Sequence, residues 1–304
     1  MINLQLSPIA DQLVNNMILI SGTGRSGTTI IGNLIGTAKN VEYSFEPPTL
    51  IAITSAMNQC NSTKERKLLD MVFKAYCYED LLIGSITGRF LNFNKTDDSY
   101  ILNIKEEEEI NKRLSGKYRK RDIESNIDNI RLAVKLPTAI MVTKGLSSTY
   151  SNMSNVITIR NPNDIINSCL EKKWFSSNIK TNSAAIFWPY YTVRDNKIHY
   201  WVKEEDSEWW INASEIERVA YYILVNWRFL SQLKKKIIIR HEDFLLNPEQ
   251  CTDRLFNKLE IERSPMTAKI INTVKNFNKK EYPNLVSKLD KKIANELNEL
   301  FYSF

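Results

Sequence analysis

ILISGTGRSGTTIIGNLIG, residues 18–36, runs from an apolar stretch into a glycine-rich turn and on into a helical pattern. It matches two phosphate-binding fingerprints in part. Gly22, Gly24 and Gly27 spell G-x-G-x-x-G, the dinucleotide pattern. Gly22 and Gly27, followed by Thr28 and Thr29, give the frame G-x-x-x-x-G-K-[ST] with threonine where the lysine stands. Both loops place backbone N–H groups and a helix N-terminus around an anion.

Working outward, short apolar runs ending in polar residues predict buried strands over Met17–Ser21, Val41–Phe45, Arg131–Leu136, Val156–Arg160 and Lys236–Arg240, with helical patterns between them from Thr28–Ile35 onward. Strands alternating with helices predict an α/β fold: a P-loop-type parallel sheet of about five strands flanked by helices, with ligands at the carboxyl ends of the strands. Residues 46–130 are too many for a simple crossover. Leu68, Leu69, Val72, Phe73 and Tyr76 recur there at helical spacing, ahead of the charged run KEEEEINKRLSGKYRKR (105–121). The expectation is a helical insertion over 53–125, packed on the sheet edge, with the charge run a solvated face. With no repeat and no low-complexity linker, residues 1–304 read as a single domain.

Composition sets bounds. The 304 residues are 43% hydrophobic and 25% charged, with a net charge of +6. This suits a globular chain with a sizeable core and a mild basic excess, compatible with an anionic small ligand or with ordinary solubility. Four well-separated cysteines and no signal-peptide pattern predict reduced thiols and a cytoplasmic location. No apolar run approaches the roughly 18 residues of a membrane span. No nucleic-acid partner is implied, and with two histidines no metal site is expected.

A usual P-loop nucleotidase needs a lysine at 28 and an acid at a later strand end for magnesium. Here the strand ends carry Lys135, Arg160 and Arg240. Cations there repel a metal and favour a ligand with several anionic groups. A dinucleotide site prefers small apolar residues after its first glycines, whereas RSGTT offers one cation and three hydroxyls. The alternatives carried forward are a small-molecule kinase with a degenerate P-loop and a nucleotide-binding dinucleotide-fold protein.

Together these residues resemble the sulfotransferases that use 3′-phosphoadenosine 5′-phosphosulfate (PAPS). GTGRSGTT resembles the family's 5′-phosphosulfate loop. VITIRNPNDIINSCL resembles its 3′-phosphate motif, with Arg160, Pro162 and Ser168 at the matching positions. AVKLP resembles the K-x-P strand, and IIIRHEDFLLNPEQCTDRLFNKLEI a later element in which His241 replaces a tyrosine. SFEPP, with Glu46 and Pro47, resembles the YEP of carbohydrate sulfotransferases. The elements fall in family order over residues 17–262; 53–125 and 176–215 have no counterpart.

The resemblance implies transfer of a sulfuryl group from PAPS to a hydroxyl, on a carbohydrate or glycolipid, without a metal. It assigns Gly24, Arg25, Ser26, Gly27, Thr28, Thr29, Arg160 and Ser168 to the donor, and Arg25 and Glu46 to catalysis. Glu46 is the expected base, with its strand end beside the glycine loop, and His241 the alternative. Each has a plainer role to set beside this: Ser26, Thr28 and Thr29 as helix caps, Arg160 as an ion-pair partner of Asp164, Lys135 as structural. Glu42, at the opposite end of the strand from Glu46, is the expected silent control. The aromatic stretch 187–210 is either an acceptor-stacking surface or core.

Overall fold

The computed structural model describes residues 6–60, 62–136, 146, 149–176, 189–275 and 281–304. Its strands are β1 (Ile18–Gly22), β2 (Val41–Phe45), β3 (Arg131–Lys135), β4 (Ser154–Ile159), β5 (Tyr190–Val193), β6 (Asn196–His199) and β7 (Ile237–Arg240). Five of them form an all-parallel sheet in the order β2–β3–β1–β4–β7, and β5 and β6 form a separate antiparallel hairpin. The expected strands are therefore present, shifted by a residue or two at some ends. The hairpin falls inside the aromatic stretch and was not anticipated.

Successive residues of β1 face opposite ways. Ile18 and Ile20 pack with Ile31, Leu34 and Ile35 of the following helix, while Leu19 packs with Val14, Leu132 and Val134 on the other face. All five residues of β1 are buried, as expected of a parallel sheet covered on both sides. The chain leaves β1 toward β2 and returns to β3, then crosses to β4 on the opposite side. The carboxyl end of β1 is thus the switch point, the place where α/β sheets bind ligands.

The first four helices are α1 (Pro8–Asn15), α2 (Thr28–Gly36), α3 (Pro48–Gln59) and α4 (Thr63–Tyr76), and of these α2 follows directly from that point. The spacing read over 68–76 does form α4, with Phe73 buried but Leu68 and Val72 exposed. The charge run departs from expectation. It forms the helix Glu107–Leu114, and two of its cations are buried. Arg113 donates to both oxygens of Glu42, Nη1 to Oε2 at 2.8 Å and Nη2 to Oε1 at 2.7 Å. Ser85 Oγ donates to the same carboxylate at 2.9 Å, and Lys105 Nζ to the Val41 carbonyl at 2.8 Å. Burial alone raises the Glu42 pKa, but the Arg113 and Lys105 charges outweigh it and hold the carboxyl below its ordinary value. Glu42 is therefore no silent control. It fastens 85–113 to the edge strand of the sheet.

The helix Glu215–Gln232 starts with a capping box, Ser214 and Glu217 bonding reciprocally. It buries Leu224, Trp227 and Leu230, while Arg228 pairs with Glu296 of the last helix, Lys291–Ser303. Arg240 also turns to that helix, donating to the Phe301 carbonyl at 3.0 Å with its guanidinium over the Phe301 ring. Its charge belongs to the C-terminal packing rather than to the switch point. No helix among the described residues is long and apolar enough to cross a membrane.

Candidate active site

Residues 23–27 form a tight loop between β1 and α2. Gly27 has φ 93°, and a Cβ there would stand 2.4 Å from His241 Nδ1, so only glycine fits. Ser26 is fully buried, its hydroxyl donating to the Thr23 carbonyl at 2.6 Å and sharing a 2.7 Å hydrogen bond with Thr158 Oγ1 of β4. The Ser26 side chain thus braces the loop from inside. The N-cap of α2 is Gly27, without a side-chain cap. Neither Ser26, Thr28 nor Thr29 caps the helix, so its first turn presents an uncapped, positively polarised end at the strand ends.

Arg25 occupies the left-handed region at φ 68°, a conformation that costs a non-glycine residue and persists only where neighbours hold it. Its Nε donates to Ser168 Oγ at 3.0 Å, and its guanidinium carbon lies 5.8 Å from the centre of the Trp174 ring. Arg160, just past β4, donates from Nη1 to the Arg25 carbonyl at 3.2 Å. The expected Arg160–Asp164 ion pair also forms, at 3.3 Å. It does not exhaust the guanidinium: Arg160 Nε is buried with no partner among the described residues. A buried N–H without an acceptor costs about 1–3 kcal/mol, and an anion would relieve it.

Glu46 follows β2 with φ 43° and its N–H donates to the Lys135 carbonyl at 3.1 Å. It does not abut the glycine loop directly, because β3 lies between β2 and β1. Lys135, at the end of β3, spans the interval, its Nζ 2.6 Å from Glu46 Oε1 and 2.9 Å from Thr29 Oγ1. The ammonium also lies 4.0 Å from the centre of the Phe45 ring. Burial pulls the Lys135 pKa below its ordinary value, against the opposing pull of Glu46. Lys135 thus places a cation beside the first turn of α2. Pro137 of the AVKLP resemblance lies outside the described residues.

His241 begins the helix His241–Leu246 after β7 and packs under Gly27. It stands at the sheet edge opposite Glu46. The aromatic stretch is mostly core: Trp201 and Trp210 are buried with Phe175, His199 and Tyr222. Burial pushes the His199 pKa down to about 4. Trp209 and Tyr190 are the more exposed members, and Phe187 and Trp188 lie outside the described residues.

Two residues at the loop had no sequence signal. The Gly24 N–H donates to Tyr222 OH at 2.8 Å, and the Trp174 ring lies so close that a Cβ at Gly24 would stand 2.2 Å from it. Tyr222 reaches the loop from the helix Glu215–Gln232 and Trp174 from the turn after the helix Pro162–Glu171, distant segments in which an aromatic residue reads as ordinary packing. Among the described residues, no group of three or more His, Cys, Asp or Glu side chains is placed to hold a metal.

No family model matches the chain, and no curated protein matches it significantly. The solved structures to which the chain is similar include three sulfotransferases. The sulfotransferase domain of the Synechococcus PCC 7002 olefin synthase has 10% identity and a TM-score of 0.46, over 95% of this chain and 94% of that one. The sulfotransferase domain of the curacin biosynthetic pathway has 14% identity and a TM-score of 0.47, over 94% and 96%. The sulfotransferase STF9 from Mycobacterium avium has 10% identity and a TM-score of 0.46, over 97% and 77%.

Proposed function

We propose that the chain is a sulfotransferase that moves the sulfuryl group of PAPS to a hydroxyl of a carbohydrate or glycolipid acceptor. The observation that carries this reading is the cationic cluster at the switch point. Arg25, Arg160 and Lys135 converge there with an uncapped helix end, and one buried guanidinium N–H lacks an acceptor. This donor set suits a ligand with anions at both ends, one on the loop and one beside Arg160. Arg160 and Ser168 would hold the 3′-phosphate; Arg25 and the α2 N-terminus would hold the 5′ end.

PAPS bound there supplies the sulfuryl group. Glu46 accepts the proton of the acceptor hydroxyl as that oxygen bonds to sulfur and the bridging S–O bond breaks. Arg25 and the loop amides stabilise the charge left on the departing phosphate, and Lys135 holds the Glu46 carboxylate near the loop. Glu46-Pro47, resembling the YEP of carbohydrate sulfotransferases, supports the choice of acceptor.

The test combines binding and transfer. Adenosine 3′,5′-bisphosphate should raise the melting temperature, since ligand at a hundred times its Kd adds about 2.7 kcal/mol, while ATP–magnesium and NAD should not. Label from PAPS should reach a glycan acceptor in the presence of EDTA. Protection by ATP–magnesium alone would replace this reading with a kinase.

A further inference from the structure

The three contacts on Arg25 come from one continuous stretch. Arg160 follows β4, Ser168 lies on the helix Pro162–Glu171, and Trp174 comes just past its end. The helix stops in a sharp reversal: Lys173 takes φ 54°, its N–H bonds the Leu170 carbonyl, and the Trp174 N–H bonds the Cys169 carbonyl. That reversal lays the indole back over Gly24 and Arg25, and the close approach at Gly24 shows how tightly ring and loop are packed.

A guanidinium held at Nε by a hydroxyl and lying over an indole ring keeps little freedom. Among the described residues no hydrogen bond or ion pair engages the two Nη groups of Arg25. Among the described residues they are thus open to a ligand, in an orientation set by residues 160–174.

We infer that Trp174 is a positioning residue: it acts through Arg25, fixing that guanidinium at the 5′ end of the donor, and does not itself contact the nucleotide. The inference rests on the donor reading above for the identity of the ligand. Because Arg160 grips the Arg25 carbonyl, the same stretch also links the 3′-phosphate end to the loop.

The test is an epistasis measurement with adenosine 3′,5′-bisphosphate as probe, read by calorimetry. Trp174→Leu should weaken binding by about 2- to 30-fold, the range of a cation–π contact. In an Arg25→Ala background the same change should have no further effect. Trp174→Phe, which keeps an aromatic face, should restore most of the affinity. Equal weakening in both backgrounds would mean that the indole touches the nucleotide or merely supports the fold, and would overturn the inference.

A ligand-free measurement separates this from the donor reading. In the unliganded protein, hydrogen exchange at the Ser26 amide, which bonds the Thr23 carbonyl, should quicken in Trp174→Leu and stay near wild type in Trp174→Phe. Unchanged exchange in Trp174→Leu overturns the inference. Quickened exchange with no bisphosphate binding by the wild type leaves Trp174 as the loop's positioning residue and removes the donor reading instead.

Discussion

The Lys135 ammonium stands 2.6 Å from Glu46 Oε1. Only 3% of the lysine side chain is exposed, against 37% of the glutamate. The pair is therefore one-sided: the cation is sealed beneath the strand ends while the carboxylate opens outward. Such a carboxylate is held in place from below and accessible from above, which suits a group that must meet an incoming hydroxyl.

Glu46→Gln should lower turnover by about 10² to 10⁴, the usual contribution of a positioned base, and leave donor affinity within about threefold, far less than the loss of one charged contact. Single-turnover transfer measured beside calorimetry separates the two. Normal turnover in this variant would mean that the base is elsewhere, with His241 the next residue to test.

Arg160→Ala should weaken donor binding by about ten- to a hundredfold, the value of a hydrogen bond to a charged group. Asp164→Asn removes the ion pair while keeping the guanidinium, and should change donor affinity far less. A large fall in unliganded melting temperature for Arg160→Ala, with donor affinity intact, would show the residue to be a structural ion-pair partner.

Gly27→Ala should damage the loop itself. A side chain at φ 93° is strained and meets the His241 ring, a combination worth about 1–3 kcal/mol of stability from the backbone alone. Urea denaturation should show that loss, and bisphosphate binding should fall with it. Retention of both would mean that the loop rearranges freely.

Glu42 carries the clearest pH dependence. Its folded pKa lies below the ordinary value near 4.5, so the native state binds this proton less readily than the unfolded chain. The resulting stability is fully present above that ordinary value and is lost as pH falls through the lowered folded one. Glu42→Gln breaks a buried pair, which typically costs about 3–5 kcal/mol, and should flatten the acid limb of a stability–pH curve measured with urea. An unaltered limb would place the acid-sensitive group elsewhere.

What the sequence shows well here is local. Apolar runs ending in polar residues mark five strands, and the glycine spacing with Arg25 marks the loop. Arg160 and Ser168 lie eight positions apart, on a strand end and the next helix, so their shared reach to Arg25 follows from chain geometry. The contacts that stay hidden join distant segments. Lys135 reads as a strand-end cation, yet its partners lie just past β2 and on α2. Arg113 sits in a run that looks solvated, and only the packing of that helix on β2 brings it to Glu42. Trp201 and Trp210 offer the same aromatic signal whether they line a binding surface or fill a core, and burial decides between the two.

The strand order governs how the chain can be made. β1 pairs with β3 and β4, and β2 pairs with β3, so the first partner either early strand can find is residues 131–135. A growing chain carries the glycine loop from residue 22 onward but has no sheet to mount it on until Lys135 has been synthesised. Closing a sheet across so much intervening sequence is slow, and unpaired strands are prone to aggregate while they wait. The loop, although it reads as a portable motif near the N-terminus, is thus among the later parts to become organised. A fragment ending before β3 would contain every residue of it and none of its framework.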